Sequence, residues 1–178
     1  MVLIPSYESS GSCIWHAPPA EEFKLNFDAA VISEQHCLGF GAIIKNSSGE
    51  VMAGMSVKGP YVNSSEEAEV LACRGAVEFS REVGFSRVII EGDCLYVRRT
   101  LSVSKKNSSL LGHIYEDIKF NLRGMQILSI NWVKRGEKMV AHTLAKHARN
   151  LINDLYWIED TPSATANALY YDSLHFNE

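Results

Sequence analysis

Three carboxylates stand where side chains from different elements of one fold can meet. Asp28 lies within Lys24-Leu25-Asn26-Phe27-Asp28, Glu69 lies near the start of a helical pattern, and Asp93 closely follows the run 88–91. Three carboxylates in one site repel each other and need protons or a divalent cation. Oxygen ligands without a neighbouring thiol favour Mg²⁺ or Mn²⁺. These residues therefore predict a magnesium or manganese site if folding brings them together.

Each carboxylate also has an ordinary structural explanation. Asp28 can pair with a lysine, although aspartate is disfavoured in the middle of a strand. Glu69 can complement the positive end of a helix dipole. Asp93 can cap a following helix, and that role is compatible with a catalytic one.

The first half of the chain predicts the elements that would position Asp28 and Glu69. Alternating apolar and polar residues around Asp28 indicate a strand, and strands at 39–44 and 51–57 complete an antiparallel meander. Serines followed by acidic residues then begin a helix that we expect from about Ser65 to Val83. Gly84 ends this helix.

The second half predicts a crossover that brings Asp93 towards Asp28. The β-branched run Arg87–Glu91 indicates a buried strand, so that strand, helix and strand form a parallel, right-handed connection. If the first and fourth strands are neighbours, Asp28 and Asp93 face each other across the sheet. Further patterns indicate helices at 95–101, 110–122 and 140–152 and a strand at 127–133. The fold class is α/β, with a mixed five-stranded sheet of three antiparallel and then two parallel strands, and helices on both faces.

Composition describes an ordinary globular chain. Its 178 residues are 46% hydrophobic and 21% charged, with a net charge of -4, which fits one main domain with its own core. We divide the chain into a lead-in segment at 1–22, a domain at 23–152 and a C-terminal extension at 153–178. The negative charge disfavours a polyanion partner unless bound cations and a local basic patch attract it. Without a signal peptide or a membrane-spanning run, we expect an intracellular protein of the nucleus or cytoplasm that is neither secreted nor membrane-bound.

The order and spacing of these motifs resemble the ribonuclease H-like domain of the reverse-transcriptase-like group of plant proteins, derived from non-LTR retrotransposons. The resemblance covers roughly residues 14–160. It implies an endoribonuclease that hydrolyses the RNA strand of RNA–DNA hybrids by a two-metal mechanism, with two Mg²⁺ or Mn²⁺ ions. The matching stretches are Lys24–Ala30, Gly39–Gly41, Asn46–Gly49, Ala68-Glu69 with Ala72, Val88–Asp93 and Trp132–Ala148.

Carried onto this sequence, the resemblance implies that Asp28 bridges both ions while Glu69 and Asp93 complete the first site. The family's fourth acid corresponds here to His142, so the implied catalytic and metal-binding set is Asp28, Glu69, Asp93 and His142. An imidazole can bind a divalent ion or orient water, but it brings no negative charge and suits Mg²⁺ less well. Helical spacing alone groups His142 with surface residues rather than with the apolar stripe.

The alternative is a domesticated module that keeps the fold but is catalytically weak or inactive and binds nucleic acid or protein. The presence of all three carboxylates favours the enzyme, whereas His142 favours the alternative. Basic side chains that together are candidates for a phosphate-tracking surface are Arg98, Arg99, Lys105, Lys106, Lys134 and Arg135.

Overall fold

The computed structural model describes residues 14–93, 95 and 111–174. The predicted helix at 95–101 lies outside these residues except for Leu95, which is helical. The predicted loop at 102–109 also lies outside them. The strands within the described residues are β1 (Phe23–Ile32), β2 (Cys37–Lys45), β3 (Val51–Pro60), β4 (Arg87–Gly92), β5 (Gln126–Trp132) and β6 (Leu155–Ile158). The helices with complete bounds there are α1 (Ser65–Glu82), α2 (Gly112–Leu122), α3 (Met139–His147) and α4 (Ala166–Leu174).

The described strands form one mixed sheet in the order β5-β4-β1-β2-β3-β6. The pairs β1–β2 and β2–β3 are antiparallel, whereas β1–β4 and β4–β5 are parallel. The predicted α/β class is therefore confirmed, and the condition that the first and fourth strands are neighbours is met.

The sheet has six strands in the described part of the chain rather than the predicted five. The additional strand β6 pairs antiparallel with β3, where Gly54 lies opposite Trp157. It is only four residues long and apolar throughout, so its sequence lacks the alternation that identifies a half-buried strand. The C-terminal extension thus contributes to the edge of the sheet.

Helices pack on both faces of the sheet, as predicted. The larger core lies between the sheet and the helices α1 and α2, where Phe27, Phe40, Val77 and Ile118 are buried. A smaller core on the opposite face joins β2 to α3 through Ile43, Val140, Ala141 and Leu144. Helix α3 is shorter than the predicted 140–152, because the chain tightens into a 3₁₀ turn at Ala148–Asn150.

Glycine at position 41 lets α3 approach the sheet closely. Gly41 lies opposite Asp28 in the β1–β2 ladder, so both residues face the same side. A Cβ atom at Gly41 would overlap the backbone of Ala141 and Ala145 and lie 2.8 Å from Leu144 Cβ. The absence of a side chain there brings α3 against β2 beside Asp28.

The lead-in and the last helix both dock on this face. Trp15 Nε1 donates a hydrogen bond to Asn26 Oδ1 at 2.9 Å, and Lys45 Nζ lies 3.5 Å from the centroid of the Trp15 ring. Lys45 also pairs with Asp172 of α4. Trp15 thus anchors the described part of the lead-in to the sheet. None of the helices described is both long and apolar enough to cross a membrane.

Candidate active site

Asp28 lies on β1 just beyond the point where its pairing with β4 ends. The parallel β1–β4 ladder has its last pair at Asn26 and Glu91, and Asp28 lies two residues further along β1. Only 4% of Asp28 is exposed. A carboxylate this deeply buried needs charge or hydrogen-bond partners.

Lys138 and His142 supply those partners. Lys138 Nζ donates to Asp28 Oδ1 at 2.6 Å, and His142 Nδ1 lies 2.6 Å from Asp28 Oδ2. The two residues are four apart, so one helical turn puts both side chains on the same side of the chain. Lys138 is 4% exposed and His142 is 9% exposed. The expectation of a surface histidine from helical spacing is wrong, because α3 packs so closely at Gly41 that this margin of the helix is covered.

A short turn positions Lys138. Arg135–Lys138 forms a 3₁₀ turn before α3, and the Lys134 N–H donates to Glu137 Oε1 at 3.3 Å. The buried Glu137 thus holds the start of the turn. Lys138 then enters the site as α3 begins.

The partners decide the protonation state of Asp28. Burial opposes ionisation, but the hydrogen bond from His142 and the charge and hydrogen bond of Lys138 outweigh it, so the pKa of Asp28 lies below its ordinary value. An ionised carboxylate only accepts hydrogen bonds. His142 Nδ1 must therefore carry the proton in its hydrogen bond with Asp28.

Glu69 reaches the same site from α1. Ser64 Oγ caps this helix by accepting a hydrogen bond from the Glu67 N–H at 3.4 Å. Glu69 Oε2 is buried without a hydrogen-bond partner. Burial raises the pKa of Glu69 to about 8; the charge of Lys138 opposes this, while the charges of Asp28 and Asp93 add to it. The structure thus brings Glu69 within electrostatic reach of both other predicted carboxylates.

Asp93 stands at the exposed rim of the site. It follows the end of β4, and its Oδ1 accepts a hydrogen bond from Trp132 Nε1 at 2.8 Å. Trp132 is the last residue of β5, which pairs with β4. The carboxyl ends of β4 and β5 therefore lie together, and β4 pairs with the part of β1 that precedes Asp28.

The residue types of the site suit a divalent cation, but the hydrogen bonds that Asp28 makes in the structure leave no oxygen of Asp28 available for one. Glu69 Oε2 is a buried acceptor without a donor, which is a suitable ligand for a hard cation. Both oxygens of Asp28, however, already contact Lys138 and His142. Among the described residues, no three His, Cys, Asp or Glu side chains form a group that could hold a metal ion. A cation could therefore use these residues only after Asp28 changes partners.

Sequence reasoning missed two functional candidates, Lys138 and Trp132. Lys138 precedes His142 by one helical turn, and this spacing is the signal that could have identified it. Trp132 is the last residue of β5. This strand pairs with β4, and Asp93 directly follows β4. Of the predicted basic surface, Lys134 and Arg135 are exposed beside the site. The other four residues, Arg98, Arg99, Lys105 and Lys106, lie outside the described residues.

Comparisons with known proteins agree with this architecture. Residues 26–148 match the family model described as reverse transcriptase-like. RNase H1 from the halophilic archaeon Halobacterium salinarum NRC-1 is 21% identical, with a TM-score of 0.63 over 72% of this chain and 98% of that chain. LC11-RNase H1, solved in complex with an RNA/DNA hybrid, is 19% identical, with a TM-score of 0.60 over 72% of this chain and 96% of that chain. No curated protein sequence is similar enough to count as a match.

Proposed function

Because this chain belongs to the reverse transcriptase-like family and has a ribonuclease H-like fold, we propose that it is a metal-dependent endoribonuclease that hydrolyses the RNA strand of RNA–DNA hybrids. The observation that carries the proposal is the buried Glu69 Oε2, which has no hydrogen-bond partner and belongs to a carboxyl group whose pKa is raised by the charges of Asp28 and Asp93. A buried acceptor that is influenced by two other carboxylates is suited to a cation rather than to an apolar neighbour.

Asp28, Glu69 and Asp93 would hold Mg²⁺ or Mn²⁺, and two ions are expected from the resemblance. When bound, such ions supply hydroxide near neutral pH and stabilise charge on the leaving 3′ oxygen. His142 orients Asp28 through its Nδ1–H. The Trp132 side chain fixes one oxygen of Asp93 by its indole N–H.

The hybrid would approach the exposed side of the site, where Lys134 and Arg135 lie. Arg135 is near enough for its charge to lower the pKa of Glu69, which connects this exposed basic residue to the carboxylates. Phosphate contacts from such residues carry no sequence information. Recognition of the A-form shape and the 2′-hydroxyls predicts cleavage that is largely independent of sequence.

A second function, a catalytically weak or inactive module that binds nucleic acid or protein, is favoured by one observation. Lys138 and His142 already satisfy both oxygens of Asp28. Asp28 therefore has a structural role without any bound ion. The two functions differ in whether a hybrid that binds is also cut.

Incubation of the purified protein with an end-labelled RNA–DNA hybrid and Mg²⁺ or Mn²⁺ tests the proposal. We expect RNA-strand cleavage that is lost in Asp28→Asn and Asp93→Asn, because each variant removes an anionic ligand. Asp117→Asn is the matched control, since Asp117 is exposed on α2 in an ion pair with Arg74, and it should cleave like the wild type. Intact hybrid with both metals, together with measurable hybrid binding, would establish the second function instead.

Three further expectations stay predictions. These are the plant and retrotransposon origin, the intracellular localisation, and the division into lead-in, domain and extension.

A further inference from the structure

The site contains a buried ammonium group, that of Lys138, which the family resemblance did not suggest. Lys138 Nζ and Asp28 Oδ1 are 2.6 Å apart, and both side chains are almost completely buried. His142 takes the other oxygen. A divalent cation that binds Asp28 must therefore replace or share one of these two partners.

Lys138 also acts on the neighbouring carboxylate. Its charge opposes the rise in the pKa of Glu69 more than any other group does, so the ammonium lies within electrostatic reach of both Asp28 and Glu69. A divalent ion held by these carboxylates would lie close to the ammonium, and two cations at short range repel each other strongly in a buried site. The ammonium thus has the position and the sign of charge of a competitor.

Building on the proposed function, we propose that Lys138 is an internal cation that competes with divalent ions for Asp28. The buried ammonium satisfies Asp28 without an ion, and ion binding requires Lys138 to move away. The wild-type protein therefore binds divalent ions weakly, and removal of the charge at position 138 strengthens binding. The competition concerns ion binding alone, so it can be measured without any nucleic acid.

Titration of the protein with Mn²⁺, followed by the electron paramagnetic resonance signal of free Mn²⁺, tests this competition. We expect Lys138→Met and Lys138→Gln to bind Mn²⁺ at least tenfold more tightly than the wild type. The glutamine amide can still donate a hydrogen bond to Asp28, so Lys138→Gln keeps the test valid where Lys138→Met fails to fold. Lys146→Met is the control, because Lys146 is exposed on α3, the helix that begins directly after Lys138; the affinity of this variant should stay within twofold of the wild type.

Affinity in the folded Lys138 variants that equals or falls below that of the wild type would overturn the competition. A second measurement uses the wild type alone, as ¹⁵N-lysine NMR of the Lys138 ammonium during a Mg²⁺ titration. The signal should shift as the ion binds, and an unchanged Lys138 signal at saturating Mg²⁺ would also overturn it. Tighter Mn²⁺ binding without hybrid cleavage would support the competition while refuting the nuclease, so the two proposals fail separately.

Discussion

Replacement of Glu69 by glutamine tests whether this carboxylate is held neutral by its surroundings. Its pKa of about 8, against an ordinary value of 4.5, corresponds to roughly 5 kcal/mol at about 1.4 kcal/mol for each pKa unit. This figure is a ceiling, because Glu69 is only half-buried and solvent screens its charge. We expect the measured effect to be at least about 2 kcal/mol.

The sign follows from proton linkage. Between pH 4.5 and about 8, native Glu69 keeps a proton that the unfolded chain has released, so the free energy of unfolding falls as the pH rises through this window. Glu69→Gln cannot release a proton there and removes this fall. The opposite shift of Asp28 acts below its ordinary pKa of 3.8 and does not enter the window.

Urea unfolding followed by circular dichroism at pH 5 and pH 9, with EDTA present, measures the effect. Glu69→Gln should gain at least about 2 kcal/mol over the wild type on going from pH 5 to pH 9. The control is Glu82→Gln, which removes an exposed carboxylate near the other end of α1. An equal difference between Glu69→Gln and the wild type at both pH values would refute the assignment of a neutral Glu69.

Three other substitutions probe the approach of α3, the histidine and the basic rim. Gly41→Ala should lower the free energy of unfolding by at least about 2 kcal/mol, because the new Cβ meets backbone of α3; unchanged urea stability would contradict this packing. His142→Asp should raise Mg²⁺-supported hybrid cleavage by adding an anionic ligand, and an unchanged or lower rate would exclude the imidazole as the limiting ligand. Arg135→Gln should weaken hybrid binding and reduce the slope of log K against log salt by about 1, and an unchanged slope would exclude a phosphate contact.

Local sequence signals were sufficient for the scaffold that positions the carboxylates. The alternation around Asp28, the helix start at Ser64 and the β-branched run before Asp93 each depend on neighbours in the sequence. Chain connectivity then limits the crossover to one hand, but it does not by itself make β4 the neighbour of β1. The pairing of Asn26 with Glu91 in the structure does so.

The contacts inside the site could not be predicted from the sequence, because hydrophobic periodicity does not give the distances between packed elements. Helical spacing gives the direction of His142 around α3, but the depth at which α3 lies on the sheet is set by Gly41 on another strand. Lys138 belongs to a charged stretch that is typical of a solvated loop, yet the turn held by Glu137 directs it inward. Burial of a lysine is stable only with a partner, and that partner, Asp28, is 110 residues away in sequence.

The charges of the site explain how the fold can be stable without a metal ion. At pH 7, Asp28 is ionised but neutralised by the ammonium of Lys138, and Glu69 is mostly protonated because its pKa is about 8. Asp93 lies at the exposed rim, where water screens its charge. The repulsion among three carboxylates, for which the sequence predicts that protons or a divalent cation are needed, is thus largely relieved by a lysine and a proton. Folding and ion binding are therefore separable in this chain. A divalent ion that enters the site must displace both the Lys138 ammonium and the proton of Glu69.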